Sequence, residues 1–176
     1  DKPQLLLKTI VSRCRMVKFR AMEKKALESM LQHDYGVPVD QVHFLAYFSE
    51  GCLGSALRLK DSDIIACKDR VIEVCSSPGA SLFDSLATKD RQQLRVYLNI
   101  LAGWFRDAAF CKAGIPRSEM IHADRLEAIS GYAAAHTAAE LHEGMQTVSD
   151  FLLYLDQNVN VNLLMSNLKL YFQSNR

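Results

Sequence analysis

Three observations on the sequence predict an all-α fold. The apolar residues Leu94, Tyr97, Leu98, Leu101, Trp104, Phe105 and Ala108 recur at helical spacing for about four turns. The same period returns in Met22, Ala26, Leu27, Met30 and Leu31, and again in Leu141, Met145, Val148, Leu152 and Leu155. Between the periodic segments stand short breaks at Gly36 and Pro38, at Gly51, at Ser76 to Gly79, and at Gly114 to Pro116, which stop helices and leave the short loops that bundles use.

Residues 5 to 19 alternate between apolar and charged character, which predicts a strand. From Glu23 the period becomes helical and runs to Gly36 and Pro38. Asp40 is the expected N-cap of the next helix, with Val42, Leu45 and Phe48 on its buried face and Gly51 as its stop. A third helix after Gly54 completes a small three-helix unit. A helix over residues 62 to 75 presents Ile64, Ile65, Val71, Ile72 and Cys75, and Ser76, Ser77, Pro78 and Gly79 form a turn signal after it. Thr88 is the expected cap of the long helix, which ends at Gly114. Helices are expected over residues 124 to 136 and 137 to 157. Asn160 or Asn162 then caps a final helix through Leu163, Leu164, Leu168 and Tyr171.

Composition narrows the function classes. The 176 residues are 49% hydrophobic and 23% charged, ordinary values for a globular chain. With 21 basic and 20 acidic residues the formal charge is +1, so no global basic field argues for nucleic-acid binding. Lys24, Lys25, Arg91, Arg95, Arg106 and Lys112 are interleaved with Glu23, Glu28, Asp90 and Asp107, which reads as ordinary exposed faces or interface partners. The five cysteines, Cys14, Cys52, Cys67, Cys75 and Cys111, have irregular spacing without a C-x-x-C pair, which predicts a reduced, cytoplasmic protein without disulfides or zinc. No apolar run approaches the roughly 18 residues of a membrane span. His136, Glu140, His142 and Glu143 suggest a metal set, but His142 lies six residues from His136 and points away from it, so a solvated helix face is expected. The sequence contains no G-x-x-x-x-G-K-[ST] phosphate loop and no G-x-G-x-x-G.

Four segments carry a family resemblance. Ser12, Arg13 and Cys14, set after the apolar run from Leu5, resemble the SRC motif that closes the ATPase domain of DNA clamp-loader subunits. Leu45 to Leu59, LAYFSEGCLGSALRL, resembles the sensor-2 segment of that family, with Gly51, Gly54 and Ser55 at its small-residue break. Leu98 to Gly114, LNILAGWFRDAAFCKAG, is similar to the long collar helix of the delta-prime group, and Leu155 to Leu168, LDQNVNVNLLMSNL, to its closing helix.

The resemblance implies a lid unit over residues 19 to 66 of the AAA+ type and a helical-bundle collar over 67 to 176, with residues 1 to 18 as the tail of an ATPase-like domain in a larger protein. It implies a non-hydrolysing subunit of the bacterial DNA polymerase III clamp loader, a machine that loads the sliding clamp onto primer-template DNA. Arg13 then acts as an arginine finger at a neighbour's ATP site, positioned by Ser12 and Cys14. Gly54 stands where hydrolysing subunits have their sensor-2 arginine, and Arg58 falls one turn too late to replace it. Arg106 and Asp107 are candidate collar contacts. The implied partners are the gamma or tau and delta subunits, with ATP and magnesium bound by those partners and no cofactor in this chain. A hydrolysing gamma or tau-type subunit and a free-standing helical regulatory bundle are the alternatives.

Overall fold

A computed structural model describes residues 7–15, 17, 19–76 and 88–174, and it is all-α. Among the described residues there is no strand. The strand expected over 5 to 19 does not form among the described residues of that stretch: Lys8–Val11 form a single helical turn, closed by Ile10 N–H donating to Leu7 O at 2.9 Å and Arg13 N–H to Ile10 O at 3.1 Å. A strand needs a ladder partner, and with no other strand among the described residues the backbone meets its hydrogen bonds locally.

Helix α1 spans Lys24–His33 and buries Leu27 and Leu31 completely, whereas Ala26 faces solvent. Helix α2 spans Val39–Phe48 and buries Val42, Phe44, Leu45 and Ala46. Its N-cap is Pro38 rather than Asp40. The Pro38 carbonyl accepts from Gln41 and Val42 N–H, and Asp40 lies inside the first turn. Proline suits a helix start because its missing N–H would have no intrahelical acceptor there. Gly51 stops the chain after α2 at φ 78, following Glu50 at φ 52. A Cβ on Gly51 would lie 2.7 Å from Met22 O, so both the left-handed backbone and the close approach demand glycine. Helix α3, Leu53–Lys60, completes the three-helix unit.

Helix α4, Ile64–Ser76, buries Ile64, Cys67, Lys68, Val71 and Ile72. The turn signal at Ser77 to Gly79 lies outside the described residues. The long helix α5, Arg91–Lys112, carries the predicted buried row from Leu94 to Ala108 and also buries Ile100, Gly103 and Asp107. Burial on several faces follows from its position against α4 and the two helices that follow it. Its cap is Asp90, whose carboxylate accepts from Gln92 N–H at 3.0 Å, while Thr88 accepts from Asp90 N–H. Thr88 is two residues too early to reach the free amides of the first turn.

Two 3₁₀ turns, Arg117–Glu119 and Ala123–Arg125, lead to α6, Leu126–Ala135. Helix α7, Ala138–Asp156, begins with a capping box between Thr137 and Glu140. It crosses α5 so closely that a Cβ on Gly144 would lie 2.5 Å from the Phe105 ring. Arg91 donates to the Leu155 carbonyl in the last turn of α7, where helix carbonyls lack intrahelical donors, and to the Val159 carbonyl in the link that follows. Helix α8, Val161–Ser174, is capped by Asn160, which accepts from Asn162 N–H at 2.9 Å. One apolar cluster runs without interruption from Leu27 through α5 to Leu168.

Candidate functional site

Arg13 sits in the turn after Lys8–Val11, exposed, and its side chain has no hydrogen-bond or ion-pair partner among the described residues. Ser12 Oγ donates to Thr9 O at 3.2 Å, which ties the turn back onto the preceding helical turn. Cys14 is exposed. The first unit places Gly54 in the opening turn of α3 with open space around its Cα, and half-buried Ser55 donates its N–H to Cys52 O. Among the described residues Arg13 therefore has no partner for its guanidinium, while Gly51, Gly54 and Ser55 shape backbone.

A second locus was not legible in the sequence. The loop over 117 to 125 is where α1, α2 and α4 meet α5. Lys24 Nζ donates to Ser118 O at 2.7 Å and lies 3.3 Å from the Tyr47 ring centroid, a cation over an aromatic face. Partial burial, the largest influence, holds its ammonium below the ordinary lysine value. Tyr47 donates to Ser118 O and lies within hydrogen-bond reach of the Glu119 carboxylate, and burial followed by the Glu119 charge raises its hydroxyl above the usual phenol range. Lys68, only 3% exposed, pairs with Asp124 at 2.6 Å, and Arg125 pairs with Asp69 at 2.7 Å. A charge as deep as Lys68 is tolerable only when paired in this way.

Arg106 and Asp107 meet the same loop from α5. Arg106, one third exposed at 33%, donates to Glu119 O and lies 4.5 Å from the Phe110 ring. Asp107 departs from its expected place on an external face: it is 0% exposed and accepts from Ile121 N–H at 3.0 Å, His122 N–H at 2.7 Å and His122 Nδ1 at 2.9 Å. Consecutive residues on a helix point about 100° apart, so Arg106 reaches the surface while Asp107 faces the interior. The sequence signal available in retrospect is the R-D pair set one position off the apolar row of α5.

Metal chemistry has no built site among the described residues. No group of three His, Cys, Asp or Glu side chains converges there. His136 Nδ1 faces Tyr132 O, and Glu140 is engaged with Thr137. Burial pushes the Cys75 thiol up to about 12, which suppresses thiolate formation. No helix among the described residues is long and apolar enough to cross a membrane.

The sequence model of one protein family, described as DNA polymerase III, delta subunit, C terminal, matches residues 76–174. That range takes in α5 to α8 and the 117 to 125 loop, and it excludes Arg13, Gly51 and Gly54. No curated protein and no solved structure shows significant similarity to the chain. The match covers more than half of the chain, and the chain belongs to this clamp-loader family, the C-terminal domains of the DNA polymerase III delta subunit.

Proposed function

We propose that the chain is the lid and collar portion of a delta-prime-type clamp-loader subunit, with Arg13 completing the ATP site of a neighbouring motor subunit. The observation that carries this reading is the exposed Arg13 guanidinium, free of partners among the described residues, in a turn whose sequence resembles the SRC motif. In this reading residues 1–18 end an ATPase-like domain, 19–66 are the lid, and 67–176 are the collar. The gamma or tau and delta subunits are the partners, ATP and magnesium are theirs, and the sliding clamp and primer-template DNA are engaged through the assembled complex in the cytoplasm. The chain itself catalyses nothing. Gly54 in place of a sensor-2 arginine speaks against the hydrolysing gamma or tau alternative.

A planar, permanently charged guanidinium suits the charge that develops on a transferred phosphoryl group. Fingers supplied in trans are worth about 10³ to 10⁵ in rate in GTPase systems. Replacing Arg13 by alanine in the complete clamp loader is expected to leave assembly intact and to lower DNA-stimulated ATP hydrolysis by the neighbour about 10³-fold. Unchanged hydrolysis in an intact complex removes the finger. It would then favour a second reading, a delta-type subunit whose Arg13 faces no nucleotide, which the description of the matching family supports.

A further inference from the structure

The contacts at the 117 to 125 loop include one continuous polar path. Glu28 Oε1 on α1 lies 2.9 Å from His43 Nδ1 on α2, and His43 Nε2 lies 2.7 Å from the Met120 carbonyl oxygen. The peptide group that carries this carbonyl also carries the Ile121 N–H, which donates to Asp107 Oδ1 at 3.0 Å. A single peptide unit thus ties the three-helix unit to the buried carboxylate of α5.

Both oxygens beside His43 accept hydrogen bonds: an ionised carboxylate and a backbone carbonyl have no proton to give. A neutral imidazole carries one N–H and can serve only one of them. Its other nitrogen then turns a lone pair toward an oxygen at hydrogen-bond distance. An imidazolium donates to both, and to a carboxylate it does so with charge assistance. We propose that His43 is a proton-operated latch that holds α1 and α2 to the 117 to 125 loop and, through the Met120 to Ile121 peptide, to Asp107.

The groups around the latch come from every packed element. Glu28 on α1 and Glu119 on the loop are the acidic groups there. Lys24 on α1 and Arg106 on α5 are the basic groups there: Lys24 Nζ is anchored 3.3 Å from the Tyr47 ring centroid and Arg106 lies 5.9 Å from that ring. Tyr47 itself presents its ring 4.9 Å from the His43 ring. The side chains of His43 and Glu28 are 29% and 25% exposed, so protons reach the pair from solvent. Closing the latch takes up a proton. Its contribution is therefore lost when the imidazolium gives that proton up. This inference is independent of the assignment of Arg13.

The test is a pH titration of the full chain by nitrogen-15 NMR, following the His43 ring nitrogens and the Ile121 amide together. The latch predicts that both move with one midpoint, that Glu28→Gln moves the ring transition to lower pH, and that His43→Gln abolishes the Ile121 response. An Ile121 amide indifferent to the His43 transition, or a ring transition unmoved by Glu28→Gln, overturns it. If His43→Gln fails to fold, the wild-type and Glu28→Gln titrations decide the matter.

Discussion

The turn at Arg13 and the loop at 117 to 125 hold their charges in opposite ways. Around Arg13 the described hydrogen bonds are local, and the side chains of Arg13, Arg15 and Arg20 are exposed without partners among the described residues. In the loop and on α5, Arg91, Arg95, Arg106, Arg117 and Arg125 all bind carbonyls or carboxylates of the same chain. An arginine already satisfied within its own fold has little left to offer a phosphate, whereas a free one remains available to a partner. Charge at the loop serves the architecture, whereas charge at residue 13 serves no contact among the described residues.

The sharpest way to break the contrast is at its buried end. Asp107→Ala leaves two backbone N–H groups and the His122 ring without their acceptor inside the protein, and it should cost about 3–5 kcal/mol in urea unfolding. A cost below about 1 kcal/mol would mean that the loop is not held by this carboxylate.

The helices and their order were largely legible, because an apolar repeat such as Leu94 to Ala108 has no other way to be buried than on a helix. The caps were less so. Thr88 and Asp40 are good capping types, yet Asp90 and Pro38 hold those places, since a cap depends on where the first free amides fall to within one residue. The joint was hidden because Glu28, His43, Asp107 and Met120 are distant in sequence and only packing brings them together. The SRC resemblance at Arg13 was readable because a motif is local, whereas the alternation around it suggested a strand that the described residues do not form.

Backbone offers a second comparison within the sensor-2-like segment. Gly51→Ala forces a left-handed residue against Met22 and should destabilise by at least about 1–2 kcal/mol, whereas Gly54→Ala, with open space on a helix, should stabilise by up to about 1 kcal/mol; thermal melts of the two variants measure both.

Smaller again is the capping box of α7, where Thr137→Ala should cost about 1 kcal/mol in the same melts. The Thr137 backbone N–H, and then its hydroxyl, hold the Glu140 carboxyl below the ordinary carboxylate value. The contribution of Glu140 is therefore present above the ordinary carboxylate range and is lost as pH falls through that depressed value. Wild type and Glu140→Gln should accordingly converge in stability in acid and differ at neutral pH.

The smallest expected effect sits at the other end of the opening contrast. Arg13→Ala should leave unfolding within about 0.5 kcal/mol of wild type, because the side chain supports nothing among the described residues. A larger loss would show that Arg13 serves the fold, which would erase the distinction between the two regions.

Membership of a clamp loader is read by native mass spectrometry of the chain mixed at micromolar concentration with clamp-loader motor subunits of the same organism. A collar subunit should give a defined hetero-oligomer that contains this chain in fixed stoichiometry. Spectra showing only the separate subunits would contradict it.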